Sequence, residues 1–246
     1  VMFENHVQLN LKSTEFKQKE ILFKVSFGPG KQAQPLSMPG LAWLAQTVVN
    51  SSGLGKLDKT QLDDVLAGRI IDIAFDVQED GFVFSGAFAP EETESVFELI
   101  GHYMSDPGFR QNALDLAKSR YRQRYHSMAR TVDGMMHING DRFLAGNDTR
   151  FGLPHPDLID EYTLDDIQSW LTAYFDQSAL DISLVGDFDI DQMIPLASQY
   201  VGGLRPYTEI APETDSRPAL RHNRISFPKG ESRLFHVDTR IDAGQV

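Results

Sequence analysis

The feature that most limits the fold is a period of two in the apolar residues near the start of the chain. Ile21, Phe23, Val25 and Phe27 alternate with other residues, and such alternation lays one side of a β-strand on a core. Val7, Leu9 and Leu11 show the same spacing just before, so the two stretches read as a strand pair. Two further runs, Ile71, Ile73, Phe75, Val77 and Phe82, Phe84, Gly86, Phe88, flank Gln78-Glu79-Asp80-Gly81, which is hairpin-turn chemistry. The sheet must therefore be at least partly antiparallel.

Between and after these strands the period changes. Pro39-Gly40 opens a helix in which Leu41, Leu44, Ala45 and Val48 fall at i, i+3, i+4 and i+7, and Gly53-Leu54-Gly55 ends it. A short helix is expected over 60–67, with Thr60 and Asp63 as its capping-box pair. Pro90-Glu91-Glu92 suits the start of another, carried by Val96, Leu99, Ile100 and Tyr103 and broken at Asp106-Pro107-Gly108. A long helix follows from Phe109 to about Arg130 and a second segment from Val132 to Ala145. Thr163, with Asp166 as its box partner, starts a helix bearing Leu164, Ile167 and Leu171; a strand over 180–185 ends at Gly186-Asp187, and 190–200 is helical.

Strands and helices are thus segregated along the chain, which predicts an α+β fold with a mostly antiparallel sheet and helices packed on one face. Residues 1–205 read as one such domain. The Pro-, Ser-, Thr- and acid-rich stretch 206–222 reads as a linker, and 223–246 as the first strand or strands of a following domain or extension. The chain is expected to be part of a longer polypeptide.

Charge and composition narrow the function. With 35 acidic against 23 basic residues and a net charge of −12, phosphate backbones are repelled and nucleic acid is not an expected partner. Without cysteine there are no disulfides, thiolate metal sites or cysteine nucleophiles. No apolar run is long enough to span a membrane. The seven histidines (His6, His102, His126, His137, His155, His222 and His236) show no pair at i, i+3 or i, i+4, and read as structural or solvated. Gly53-Leu54-Gly55 lacks the following Lys-Ser/Thr of a phosphate loop, and no Gly-x-Ser-x-Gly elbow occurs.

The landmarks in order, Pro39-Gly40-Leu41-Ala42, the hairpin, the acidic helix, Asp106-Pro107-Gly108-Phe109 with its long helix, and Val185-Gly186-Asp187, resemble the skeleton of insulinase/pitrilysin-type zinc metallopeptidase domains. The resemblance covers roughly residues 5 to 205. In the catalytic domain of that family, the Pro-Gly-Leu-Ala helix carries an inverted motif, His-x-x-Glu-His. Its histidines hold Zn²⁺ from one helix face and its glutamate activates the metal-bound water.

Here Trp43 and Thr47 stand at the histidine positions and Gln46 at the glutamate position. Indole and hydroxyl are poor zinc ligands, and an amide takes no proton from water. The family's third ligand, a glutamate in the long helix, is missing too: Gln123-Arg124 falls near its place, and 116–132 holds no acid. The resemblance therefore implies a non-catalytic domain at the start of the second half of such an enzyme. No catalytic, metal or cofactor-binding residue is expected in this chain; zinc is expected elsewhere in the parent protein.

Its partners would be the other domains of the same polypeptide and an unfolded peptide substrate. The alternative is an inactive partner or scaffold subunit of a two-chain peptidase. Lys118, Arg120 and Arg122 are candidate peptide-facing residues, against the plainer reading of a solvated helix face paired with acids. Trp43 beside the buried stripe reads better as packing than as a substrate contact. By analogy with exported relatives a periplasmic location is expected, with a cytoplasmic one left open.

Overall fold

The structure, a computed structural model, describes residues 1–204; the linker and following strands read from 206–222 and 223–246 lie outside them. Five strands form one sheet: β1 (Gln8–Ser13), β2 (Ile21–Phe27), β3 (Ile71–Val77), β4 (Phe82–Phe88) and β5 (Asp181–Gly186), in the order β1-β5-β2-β4-β3. The helices are α1 (Leu41–Ser52), α2 (Lys59–Leu66), α3 (Thr93–Ser105), α4 (Gln111–Met128), α5 (Val132–Met135), α6 (Asp141–Leu144), α7 (Pro156–Glu161), α8 (Leu164–Gln177) and α9 (Ile190–Val201). A π-helical turn, Met136–Gly140, joins α5 to α6.

The sheet is mixed. β2, β4 and β3 run antiparallel to their neighbours and β2 antiparallel to β5, but β1 lies parallel to β5. The expected pairing of β1 with β2 is corrected here: β5 enters between them, setting Leu9 and Val25 on either side of Ile182, and Leu11 and Phe23 on either side of Leu184. Alternation reports which face of a strand is buried and carries no information about its neighbour. A strand from residue 181 can therefore separate two that are adjacent in sequence.

Along β2, Ile21, Phe23, Val25 and Phe27 are buried while Leu22 and Lys24 are exposed, so one face of the sheet is covered. Phe27, Phe75, Phe82, Phe84 and Phe175 meet on that covered face at ring separations of 5.0–6.5 Å, burying a large apolar area in tilted or stacked arrangements that aromatic pairs favour. Gly86 in β4 has no room for a side chain, since a Cβ there would sit 1.9 Å from Asp72 O.

Two of the helix starts are built as their residues dictate. Thr163 caps α8 in a reciprocal box with Asp166, as read from the sequence. For α2 the box is corrected by two residues: Asp58 is the cap and Gln61 its partner, so the helix begins at Lys59. The chain satisfies the first amides from the residue that is already extended, and Asp58 has that backbone conformation.

α1 and α4 lie antiparallel. At one end the Arg110 guanidinium donates to the carbonyls of Ser52, Leu54 (2.8 Å) and Gly55 (3.1 Å), and Arg110 N–H donates to Ser52 Oγ at 3.1 Å. A cation there meets the negative end of α1 and its otherwise unpaired carbonyls. At the other end Trp43 meets Tyr121. Ala113, Leu114, Ala117 and Tyr121 form the buried side of α4.

Candidate functional site

α1 starts from Gly40, whose left-handed backbone (φ 83°) makes the turn out of Pro39. A Cβ on Gly40 would also collide with Ile159 at 2.7 Å. The carbonyl of Pro39 accepts a hydrogen bond from the Tyr162 hydroxyl (3.0 Å), whose pKa burial pushes up to about 12. Within the first turn, Ala42 N–H donates to the side-chain oxygen of the buried Gln34 at 2.9 Å. These contacts fix the rotation of α1, so the directions of Trp43, Gln46 and Thr47 are set by structure and not by chance.

Each of those three residues is turned to an internal task. The Trp43 ring packs edge-on against Tyr121, 5.1 Å between centroids at 76°, which favours the packing reading over a substrate contact. Tyr121 is itself buried, donates to Pro154 O at 2.8 Å, and has its ionisation pushed well above the usual tyrosine range by that burial. Thr47 Oγ1 donates back along the helix to Trp43 O at 3.2 Å. Gln46 Oε1 accepts from the N–H of Val77 in β3 at 3.4 Å.

Asn50, one turn beyond Gln46, completes the contact with β3. Its side-chain oxygen accepts from Phe75 N–H (2.8 Å) and its amide nitrogen donates to Phe75 O (2.7 Å) and Gln46 O (2.8 Å). β3 is an edge strand, and because Phe75 points both backbone groups outward, the alternation of an antiparallel ladder turns those of Ile71, Ile73 and Val77 outward as well. Asn50 and Gln46 therefore occupy the edge at Phe75 and at the Val77 amide. Among the described residues the edge groups of Ile71 and Ile73 have no such partner. The sequence holds one signal for this pairing, two amide side chains four residues apart in a largely apolar helix.

A zinc ion does not fit these residues. The indole presents a ring and no lone pair, the Thr47 hydroxyl is engaged along its own helix, and the Gln46 oxygen is taken by a backbone amide. Among the described residues no group of three or more His, Asp or Glu side chains is placed to hold a metal. Gln123 and Arg124, which the family resemblance put near the third-ligand position, are exposed on α4, and the α4 residue facing Trp43 is Tyr121.

The basic side of α4 divides. Lys118 Nζ donates to Asp160 O at 2.7 Å and Arg122 pairs with the Asp160 carboxylate at 2.7 Å, so these two tie α4 to α7. Arg120 and Arg124 are exposed and make no ion pair among the described residues. Tyr125 and His155, which sequence reasoning did not single out, extend the aromatic contacts beyond Tyr121 at 6.4 and 5.6 Å. Among the described residues no helix is long and apolar enough to cross a membrane.

No family model matches the chain. The chloroplastic stromal processing peptidase of Arabidopsis thaliana is 17% identical over 219 residues, 88% of this chain and 17% of the relative, so the chain spans about a sixth of that protein's length. Among solved structures, the peptidase M16 inactive domain from Pseudomonas fluorescens superposes with a TM-score of 0.70 at 16% identity, covering 86% of this chain and 52% of that one. The periplasmic protease PqqL from Escherichia coli gives 0.70 at 11% identity, covering 86% and 25%. The ferredoxin protease FusC, solved as a point mutant in complex with Arabidopsis ferredoxin, gives 0.69 at 16%, covering 85% and 23%.

Proposed function

We propose that this insulinase/pitrilysin-like domain is a non-catalytic, peptide-holding part of a zinc-dependent metallopeptidase, one wall of a chamber whose zinc is bound by another domain. The observation that carries the reading is α1. On the helix where the family places its zinc motif, Trp43, Gln46 and Thr47 are each committed to an internal partner. A domain kept in shape while its chemistry is withdrawn serves by surface and position. The likeness to an inactive peptidase M16 domain, and to about a quarter of the solved PqqL and FusC chains, supports this. FusC was solved with a protein bound, which supports a polypeptide as the partner here, together with the other domains of the same polypeptide.

On this reading the free edge at Ile71 and Ile73 and the cations Arg120 and Arg124 face the peptide, while Lys118 and Arg122 serve α7. A periplasmic location is proposed from the likeness to PqqL, described as a periplasmic protease. A second reading, an inactive subunit of a two-chain peptidase, is favoured by the solved chain of which this fold fills about half, 52%.

Titration calorimetry with Zn²⁺ should show no tight site in this chain, and a stoichiometric tight site would overturn the proposal. The triple variant Trp43→His, Gln46→Glu, Thr47→His should still cleave no peptide, since Tyr121 and not a carboxylate faces that turn of α1. Cleavage by the variant would show that a third ligand stands elsewhere.

A further inference from the structure

From Val132 to Leu144 the chain runs as one helical stretch, α5, the π turn and α6. Its inner side is Gly134 and Ile138, both buried; a Cβ on Gly134 would lie 2.0 Å from Met128 O, so the stretch folds closely against the end of α4. Its outer side carries large apolar side chains in the open beside the exposed Asp133, His137, Asn139 and Arg142. Val132 is 76% exposed, Met136 50%, Phe143 74% and Leu144 74%. An ordinary surface helix turns such residues inward, and a π turn inside a helix is often found where a protein binds something.

The size of this face selects its occupant. Summed, the four large side chains leave on the order of 500 Å² of apolar surface along this short stretch, comparable with apolar patches that are functional. That is short of the ~800 Å² per partner of a stable protein interface, which disfavours a second copy of the chain and suits a short peptide segment. Met128 at the end of α4 and Met135 and Met136 in the stretch lie close along the chain, and unbranched thioether side chains repack around differing apolar partners.

Charge adds a second constraint. Arg120, Arg124 and Arg130, on or just after the helix that this stretch packs against, are exposed and make no ion pair among the described residues. Of the acids on the stretch, Asp133 has no ion-pair partner among the described residues and Asp141 is engaged by His137 at 3.1 Å. On a chain of net charge −12, these arginines and the exposed Arg142 of the stretch itself give this part of the chain a local excess of cations.

We propose that the outer face of 132–144 is a docking surface for apolar segments, flanked by acidic residues, of an unfolded client peptide. The inference rests on the peptide-holding reading and adds to it the place and the class of segment. The probe is a dye-labelled peptide with a Leu/Phe core between pairs of glutamates, about twelve residues long so that it can cover two to three helical turns, followed by fluorescence anisotropy. Phe143→Ser with Leu144→Ser should weaken binding at least roughly tenfold. Arg120→Glu with Arg124→Glu should weaken it severalfold and flatten its dependence on salt.

Equal binding by the Phe143/Leu144 double variant would overturn this surface while leaving the peptide-holding reading intact. No binding by the unaltered chain of this peptide, or of reduced, unfolded casein, would overturn both. Hydrogen exchange on the complete gene product separates the remaining occupant: 132–144 should gain protection only when peptide is added. Protection without peptide would mean that a companion domain covers the face, and would overturn the proposal.

Discussion

The α1–β3 contact and the 132–144 stretch treat their side chains in opposite ways. In the first, the side chains of Gln46, Thr47 and Asn50 bond the protein's own backbone and the Trp43 ring is packed against Tyr121. In the second, large apolar side chains stand in water with nothing over them among the described residues. Both elements pack against α4. The difference separates what the domain needs to stay folded from what it offers to something else. On the proposed reading, a region that carries no zinc chemistry can be packed for stability, whereas a face that binds must stay unsatisfied until its partner arrives.

The comparison breaks most sharply at Tyr121. Tyr121→Ala would remove a fully buried ring, the edge contact with Trp43 and the bond to Pro154 O. It should cost about 3–5 kcal/mol, as large-to-small changes in packed cores do, read as a lower urea midpoint with unchanged slope. Tyr121→Phe keeps the ring and should cost only about 1 kcal/mol. If Tyr121→Ala were tolerated without loss, the aromatic packing would not be what holds α1 against α4.

Asn50→Ala tests the other half of the contact. It strips the Phe75 N–H and C=O of their partners, and should cost about 1–3 kcal/mol to the extent that those groups stay shielded from water. Hydrogen exchange at the Phe75 amide should accelerate while that of Phe84, on the opposite strand, changes little. A freed edge also pairs with other chains, so the variant should self-associate more readily at high concentration. Unchanged exchange at Phe75 would show that Asn50 does not close the edge.

Much of this was legible in the sequence, and the parts that were not share a cause. The buried faces of β2, α1 and α8 follow from spacing alone, and Thr163 with Asp166 announced its own helix. Non-local pairing was hidden, because nothing in Val7, Leu9 and Leu11 says that β5 lies between them and β2. Rotation about a helix was hidden as well. The family resemblance pointed to Gln123-Arg124, but rotation about α4 decides which residue faces α1, and that residue is Tyr121. The π turn at Met136–Gly140 has no pattern that composition reveals.

The smallest effect is expected where the proposal for binding is strongest. Phe143 and Leu144 are each 74% exposed, so they give little to folding, and replacing both with serine should move the unfolding free energy by no more than about 0.5 kcal/mol. Removal of apolar surface from water-exposed positions can even raise solubility. The same pair should dominate peptide binding, so one double variant would leave the urea midpoint in place and lose the anisotropy signal. A large loss of stability would instead show that these side chains pack within the chain, and the contrast between the closed contact and the open face would fail at its second term.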